Sequence, residues 1–305
     1  MSAIQNCFRM GTQRYAASTL RKSVATTSRR LQCTSPIHQA SRNIVTFARP
    51  APFPQRLEKL VARPVRRHYN SGSRFNPDAS YRSAKSAVWS LILANTAVFL
   101  AWNYAREFKD VKLIRLLNAN ALLNEANLAA GRYYTIITCA FSHKDLGHFA
   151  FNMFALWTFG GMIAFIPGVG AAHIYALAFS SAIASSTGWL LHTRSKEPTI
   201  VEKKLGRFTQ RTRVIDSALG ASGVVMATAA TATCLMPMAP MLIMAIVPAP
   251  LFVSTGLFAG IDLYLLDARD KIGHSAHLGG FVFGIAYYLL MLRRRGGIWQ
   301  MMKRR

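Results

Sequence analysis

From Ala87 onward the chain alternates long apolar runs with short polar joins. A helix needs about 20 mostly apolar residues to cross a bilayer, fewer where its neighbours cover its ends. On that measure six spans are predicted: Ala87 to Ala105, Gly147 to Phe165, Ala171 to Leu191, Ser217 to Met236, Leu251 to Leu266 and His274 to Leu292. The run from Met241 to Leu266 is too long for one straight helix and contains Pro248-Ala249-Pro250. That predicts a short non-helical or re-entrant piece ahead of a brief fifth span. The join between the first two spans is about 40 residues, a length that in compact domains is usually functional. Its apolar middle, Val111 to Leu128, is expected to lie on the membrane surface. The fold class is an all-α polytopic membrane protein, a bundle of six transmembrane helices (87–292) between a disordered basic leader and a basic tail (293–305).

Charge sharpens this division. The chain has 305 residues, of which 51% are hydrophobic, yet a formal net charge of +25. Residues 1–86 alone carry 16 Lys and Arg against two acids, Glu58 and Asp78. Nine basic residues precede Glu58, with no acid and many Ser and Thr among them. An acid-free, Arg- and Ser-rich start able to form a basic amphipathic helix is what mitochondrial import reads, so residues 1–50 are expected to be a presequence. A basic tail lying on an anionic membrane surface is the alternative. Residues 51–86, with Pro52, Pro54, Pro64 and Pro77 among interspersed charges, read as a disordered linker. Basic residues are spread over leader, one loop and tail rather than gathered on one face, which argues against nucleic-acid binding. Cys7, Cys33, Cys139 and Cys234 form no C-x-x-C pair, so neither a disulfide framework nor a zinc cluster is implied.

Six spans put both termini on one side, and their Lys and Arg mark it as the non-translocated face. Parity then places the join His192 to Ile215, with seven Lys and Arg, on the opposite side.

Polar side chains inside spans are costly and face a cavity or one another. The notable ones are His148 and Asn152 in the second span, Ser222 in the fourth and His277 in the sixth. Each lies near the N-terminal end of its span, roughly 5 to 9 Å down. These three spans cross in the same direction, so all four residues lie at similar depth beneath one face. Ser222 sits in Leu219-Gly220-Ala221-Ser222-Gly223, where small neighbours allow close approach. Gly223-x-x-x-Ala227 and Gly280-x-x-x-Gly284 are small-x-x-x-small patches that let the fourth and sixth spans pack tightly. A serine bonded to an imidazole is an activated nucleophile with its base. His148 and Asn152, at i and i+4, share a face and with the Ser222 N–H can serve an oxyanion. Asn95, Asp262 and Asp267 read as helix-packing or span-end residues.

His143-x-x-x-x-His148-x-x-x-Asn152, Gly220-Ala221-Ser222-Gly223 and Ala276-His277-Leu278-Gly279-Gly280 together resemble the rhomboid family of intramembrane serine proteases, over about residues 87–292. The resemblance implies a six-span rhomboid bundle with Ser222 as nucleophile, His277 as general base and then acid, and His148 and Asn152 as oxyanion stabilisers. Gly220, Gly223 and Gly280 belong to its motifs. Arg132, in Gly131-Arg132-Tyr133, is similar to the structural arginine of the family's first loop, although Gly131 replaces the tryptophan usual in bacterial members. Met226, where many bacterial members have tyrosine, and Leu156-Trp157-Thr158-Phe159 resemble the mitochondrial, presenilin-associated rhomboid-like branch. The implied activity needs no cofactor or metal. It acts on single-pass transmembrane proteins entering past the fifth span, from within the lipid bilayer of the mitochondrial inner membrane. The sequence carries no signal for an oligomeric state.

Two rivals stand beside this reading. One takes His274 and His277, with His143 and His148, as haem or metal ligands between helices. That leaves Gly-Ala-Ser-Gly unexplained, and no His-Glu-x-x-His motif is present. A non-catalytic relative that binds client helices without cutting them is the other, and the retention of both Ser222 and His277 weighs against it.

Overall fold

The computed structural model describes residues 77–196, 200–205, 208–213, 216–243, 247–268 and 272–303. The expected presequence and most of the expected linker lie outside them. The first helix among the described residues, α1, is Pro77–Glu107. It begins at Pro77 rather than Ala87, taking in the last residues assigned to the linker. The early start has local causes. Proline is at home in a first turn, where its missing N–H has no partner to lose, and Asp78 faces the positive end of the helix. Ser80 Oγ donates to the Val169 carbonyl at 2.8 Å and Tyr81 stacks on Phe165, pinning these polar turns to the join between two later helices.

The long join then folds as α2 (Val111–Asn120), α3 (Glu125–Ala129) and α4 (Thr135–Thr138), with a 3-10 turn at Cys139–Phe141. Asp110 and Asn124 cap α2 and α3 by accepting from Leu113 N and Asn127 N. No residue of α2 is buried, in keeping with a piece lying outside the bundle. Next come α5 (Leu146–Ala164) and α6 (Ala171–Ser195). The basic join departs from the all-α expectation: its backbone forms an antiparallel hairpin, β1 (Ile200–Leu205) against β2 (Phe208–Arg213).

The central helix is α7 (Ser222–Leu235). It starts at Ser222 rather than Ser217, because Gly220 takes φ +116°, outside the helical region. The short non-helical or re-entrant piece expected here is non-helical: a second antiparallel hairpin, β3 (Pro240–Ile243) with β4 (Val247–Pro250). Its prolines are tolerated because a two-stranded hairpin is all edge. The chain closes with α8 (Leu251–Tyr264), α9 (His274–Tyr287), which runs on through a π turn to Leu292 and a 3-10 turn at Arg293–Arg295, and α10 (Ile298–Met302).

Among the described residues, three helical stretches are long and apolar enough to cross a membrane: Asp78–Glu107, Ala171–Ser195 and His274–Arg295. Two shorter apolar helices, Ser222–Leu235 and Leu251–Tyr264, accompany them. Large apolar side chains such as Trp89, Leu93, Leu100, Phe154, Phe165, Val282 and Leu290 point outward, as a lipid-facing surface requires.

In the middle, α7 packs against α9, α5 and α6, and eleven of its fourteen residues are buried. The α7–α9 seam is a contact of backbone on backbone. A methyl group at Gly280 would stand 2.0 Å from the Gly223 carbonyl oxygen, and one at Gly284 would stand 2.2 Å from that of Ala227. Thr231 Oγ1 donates across the seam to the Gly284 carbonyl at 2.9 Å. By contrast α8 buries only Leu251, Ser254, Thr255 and Asp262.

Gly284→Val should therefore lower stability by about 1–3 kcal/mol or more, since the clash is with rigid backbone. Gly256→Ala on α8, whose added methyl meets nothing within 4 Å, should be neutral or stabilise by up to about 1 kcal/mol. Thermal unfolding of the two variants in detergent checks the contrast.

Candidate active site

Ser222 is the first residue of α7, and the first N–H groups of a helix have no partner within it. The approach to Ser222 is held by three tethers from the α1–α5 join. Leu123 and Ala218 exchange backbone hydrogen bonds of 3.0 and 2.8 Å. Gly220 N donates to the Cys139 carbonyl at 2.9 Å. Ala221 N donates to Nε2 of the buried His143 at 3.2 Å, so that nitrogen carries no proton. Gly220 fits for two reasons: its φ excludes side chains, and a methyl there would lie 2.6 Å from His148 Cε1.

His148 opens toward the same place from α5. Its backbone N–H is capped by Asp145 Oδ1 at 2.8 Å, and its carbonyl accepts from Asn152 Nδ2 at 2.8 Å. His277 comes from the first turn of α9, three residues before Gly280. Ser222, Gly220, Gly223, His148, Asn152 and His277 line one cavity of about 2100 Å3. Ser222 and His277 make no hydrogen bond to each other among those formed by the described residues; they share the cavity as neighbours of the α7–α9 seam. The cavity runs on between α5 and α8, where its wall includes Phe151 and Phe154 on the first and Phe258 and Ile261 on the second. Phe151 and Phe154 also face outward, so the hollow is continuous with the lipid-facing surface.

Of the other residues singled out from the sequence, Gly280 supports the seam from outside the hollow. Arg132 lies in the α3–α4 join and donates to Asn127 Oδ1 at 3.0 Å. Asn127 in turn donates to the Asn118 and Leu122 carbonyls, so Arg132 braces the stretch that carries Leu123.

Two residues acquire partners that spacing did not assign them. His143 was part of a motif without a role of its own; it holds the backbone next to Ser222. Asp262, read as a packing residue, points its Oδ1 at His277 Nδ1 (2.9 Å) and His274 Nδ1 (2.7 Å). The available signal was an acid in an otherwise apolar helix, which is expensive unless it serves a site. The ligand atoms of Asp262, His274 and His277 lie within 4.8 Å of one another, a spacing compatible with a metal ion. Both imidazoles are hydrogen-bonded to the Asp262 carboxylate. His143 and His148 form a separate edge-to-face pair, with ring centroids 5.1 Å apart.

The fold and the site define a helical membrane protein with a serine at a helix start and an imidazole on the helix locked against it, both lining one hollow. Residues 130–294 match the Rhomboid domain, and the chain belongs to the rhomboid family. Among its relatives, RHOMBOID-like protein 12, mitochondrial, of Arabidopsis thaliana is 32% identical over 199 residues, covering 65% of this chain and 56% of that protein. Rhomboid protein 1, mitochondrial, of Saccharomyces cerevisiae is 28% identical over 206 residues, covering 67% and 52%. The presenilin-associated rhomboid-like protein, mitochondrial, of Rattus norvegicus is 27% identical over 217 residues, covering 68% and 49%. The match thus spans about half the length of these relatives, and its company is the mitochondrial branch of the family.

The tethers make a stability prediction. His143→Ala should leave the Ala221 N–H without its acceptor inside the protein, at a cost of about 1–3 kcal/mol. Thermal unfolding reads it, and an unchanged midpoint would show that the bond does not hold the loop.

Proposed function

We propose that this protein is a serine endopeptidase of the mitochondrial inner membrane, with six spans, that cleaves single-pass transmembrane proteins through Ser222 and His277 without a cofactor. The observation that carries the reading is the placement of both residues on one hollow, at the starts of two helices whose glycines touch. Ser222 Oγ attacks the scissile carbonyl carbon as its proton passes to His277 Nε2, and the carbonyl π pair moves onto oxygen. The Ser222 N–H, His148 and Asn152 donate to that oxyanion, each worth about 3–4 kcal/mol in the transition state. His277 then protonates the departing amine, and water hydrolyses the acyl ester with the imidazole again as base.

The short, sparsely buried α8 and the aromatic-walled opening between it and α5 support sideways entry of a substrate helix. Segments with Gly, Ser or Pro are the favoured substrates, because they unwind most readily to expose a peptide bond. Membership of the mitochondrial branch and the acid-free basic leader together support the location.

Cleavage of a fluorescent transmembrane peptide in proteoliposomes tests the chemistry. Ser222→Ala and His277→Ala should lose about 10⁴-fold or more in turnover, and Asn152→Ala about 10²-fold. Equal cleavage by wild type, Ser222→Ala and His277→Ala removes the dyad and leaves a client-binding relative. Deleting residues 1–50 should abolish uptake by isolated mitochondria, and unchanged uptake refutes the presequence.

A further inference from the structure

Asp262 is the only charged residue of α8 and is buried, with 6% of its surface exposed. A carboxylate among apolar neighbours is tolerated only when paired, and here both partners come from the first turn of α9. Its Oδ1 accepts from His274 Nδ1 at 2.7 Å and from His277 Nδ1 at 2.9 Å. The two contacts differ in consequence. A carboxylate on Nδ1 fixes the proton there and leaves the Nε2 lone pair free to accept. The free nitrogen of His277 is the one left for the hollow that Ser222 also lines.

We infer that Asp262 is a positioning residue for the proposed reaction: it sets the tautomer and aim of His277 and stabilises the imidazolium formed when that ring takes the Ser222 proton. This rests on the endopeptidase reading. The carboxylate does not itself receive a proton; Nδ1–H stays bonded to it while Nε2 takes the Ser222 proton and later passes it to the leaving amine. His274, the first residue of α9, shares the same oxygen and steadies the carboxylate, so that the base is built by two helices, α8 and α9.

Asp262→Asn, of the same shape but without the charge, tests this with two probes in proteoliposomes: a fluorophosphonate, which reports activation of the Ser222 hydroxyl with no helix to admit, and the fluorescent transmembrane peptide. Labelling rate and kcat should both fall by about 10²-fold with KM changed by less than about 3-fold and the unfolding midpoint held. Labelling at the wild-type rate overturns the inference, as does a change confined to KM, which would make Asp262 only a fastening for α8. If wild type and Ser222→Ala are equally unlabelled, the endopeptidase reading fails first. If wild type labels, Ser222→Ala does not, and Asp262→Asn matches wild type, this inference alone fails. Should Asp262→Asn not fold, proton NMR of the wild type in nanodiscs decides: a strongly downfield His277 Nδ1–H resonance supports the bond to the carboxylate, and its absence overturns it.

Discussion

The contact on which this molecule depends is the one between two backbones, Gly223 and Ala227 on α7 against Gly280 and Gly284 on α9. No side chain mediates it, since even a methyl group at either α9 glycine would stand at 2.0 to 2.2 Å from a carbonyl oxygen. In a membrane, helices gain nothing by hiding apolar surface from lipid, so association rests on close packing and interhelical hydrogen bonds. The seam supplies both, with Thr231 donating to the carbonyl of Gly284. Further glycines extend the same logic to α6: Gly188 lies against the Ser275 carbonyl and Gly279 against that of Ala184. Three helices are thereby drawn into a rigid wedge, and Ser222 and His277 are fixed by lying within a turn of it.

A second constraint follows from length. At fourteen residues α7 is roughly 21 Å long, shorter than a hydrocarbon core of about 30 Å. One end therefore lies below the membrane face, with irregular backbone leading into it. Such backbone is tolerated at that depth only where protein or an aqueous cavity satisfies its polar groups. This explains the three tethers on residues 218–221, which otherwise look redundant. Leu123, the Cys139 carbonyl and His143 take up N–H and carbonyl groups that lipid would leave unpaired. The positive φ at Gly220 is the turn that lets an extended strand-like approach become a helix in one step. The long first join is thus a brace for the loop that leads into Ser222, with Arg132 and Asn127 stiffening the brace in turn.

Apolar run length made the main helices legible, and the three motifs singled out Ser222, His277, His148 and Asn152, which the fold brings to one cavity. Packing was legible too, because small-x-x-x-small patches speak about a neighbour as well as about their own helix. What escaped was set by tertiary context. Run length cannot see that Gly220 breaks the fourth span, since glycine, alanine and serine are as apolar outside a helix as inside it. Nor could it see the β3–β4 hairpin, whose residues read as membrane-apolar while the prolines merely say that a helix must stop. The start of α1 at Pro77 depends on Ser80 and Tyr81 finding partners some ninety residues away. Asp262 was visible as an anomaly, but its partners lie across a loop and no local period points to them.

The contrast between the wedge and α8 gives the hollow its character. A site for a whole helix must be shut to idle lipid yet open to a substrate, so one wall must be held more weakly than the rest. On the proposed reading α8 is that wall: four buried residues, a two-stranded hairpin before it, and a side-chain bond from Thr233 to Thr255 as one of its fastenings to α7. A loosely held wall that also carries the partner of the base makes the two properties interdependent. If the proposed entry holds, displacing α8 would draw Asp262 away from His277, and its return would restore the imidazole's tautomer and aim. On that reading the buried carboxylate would be more than a satisfied charge: it would make full basicity conditional on the wall being in place.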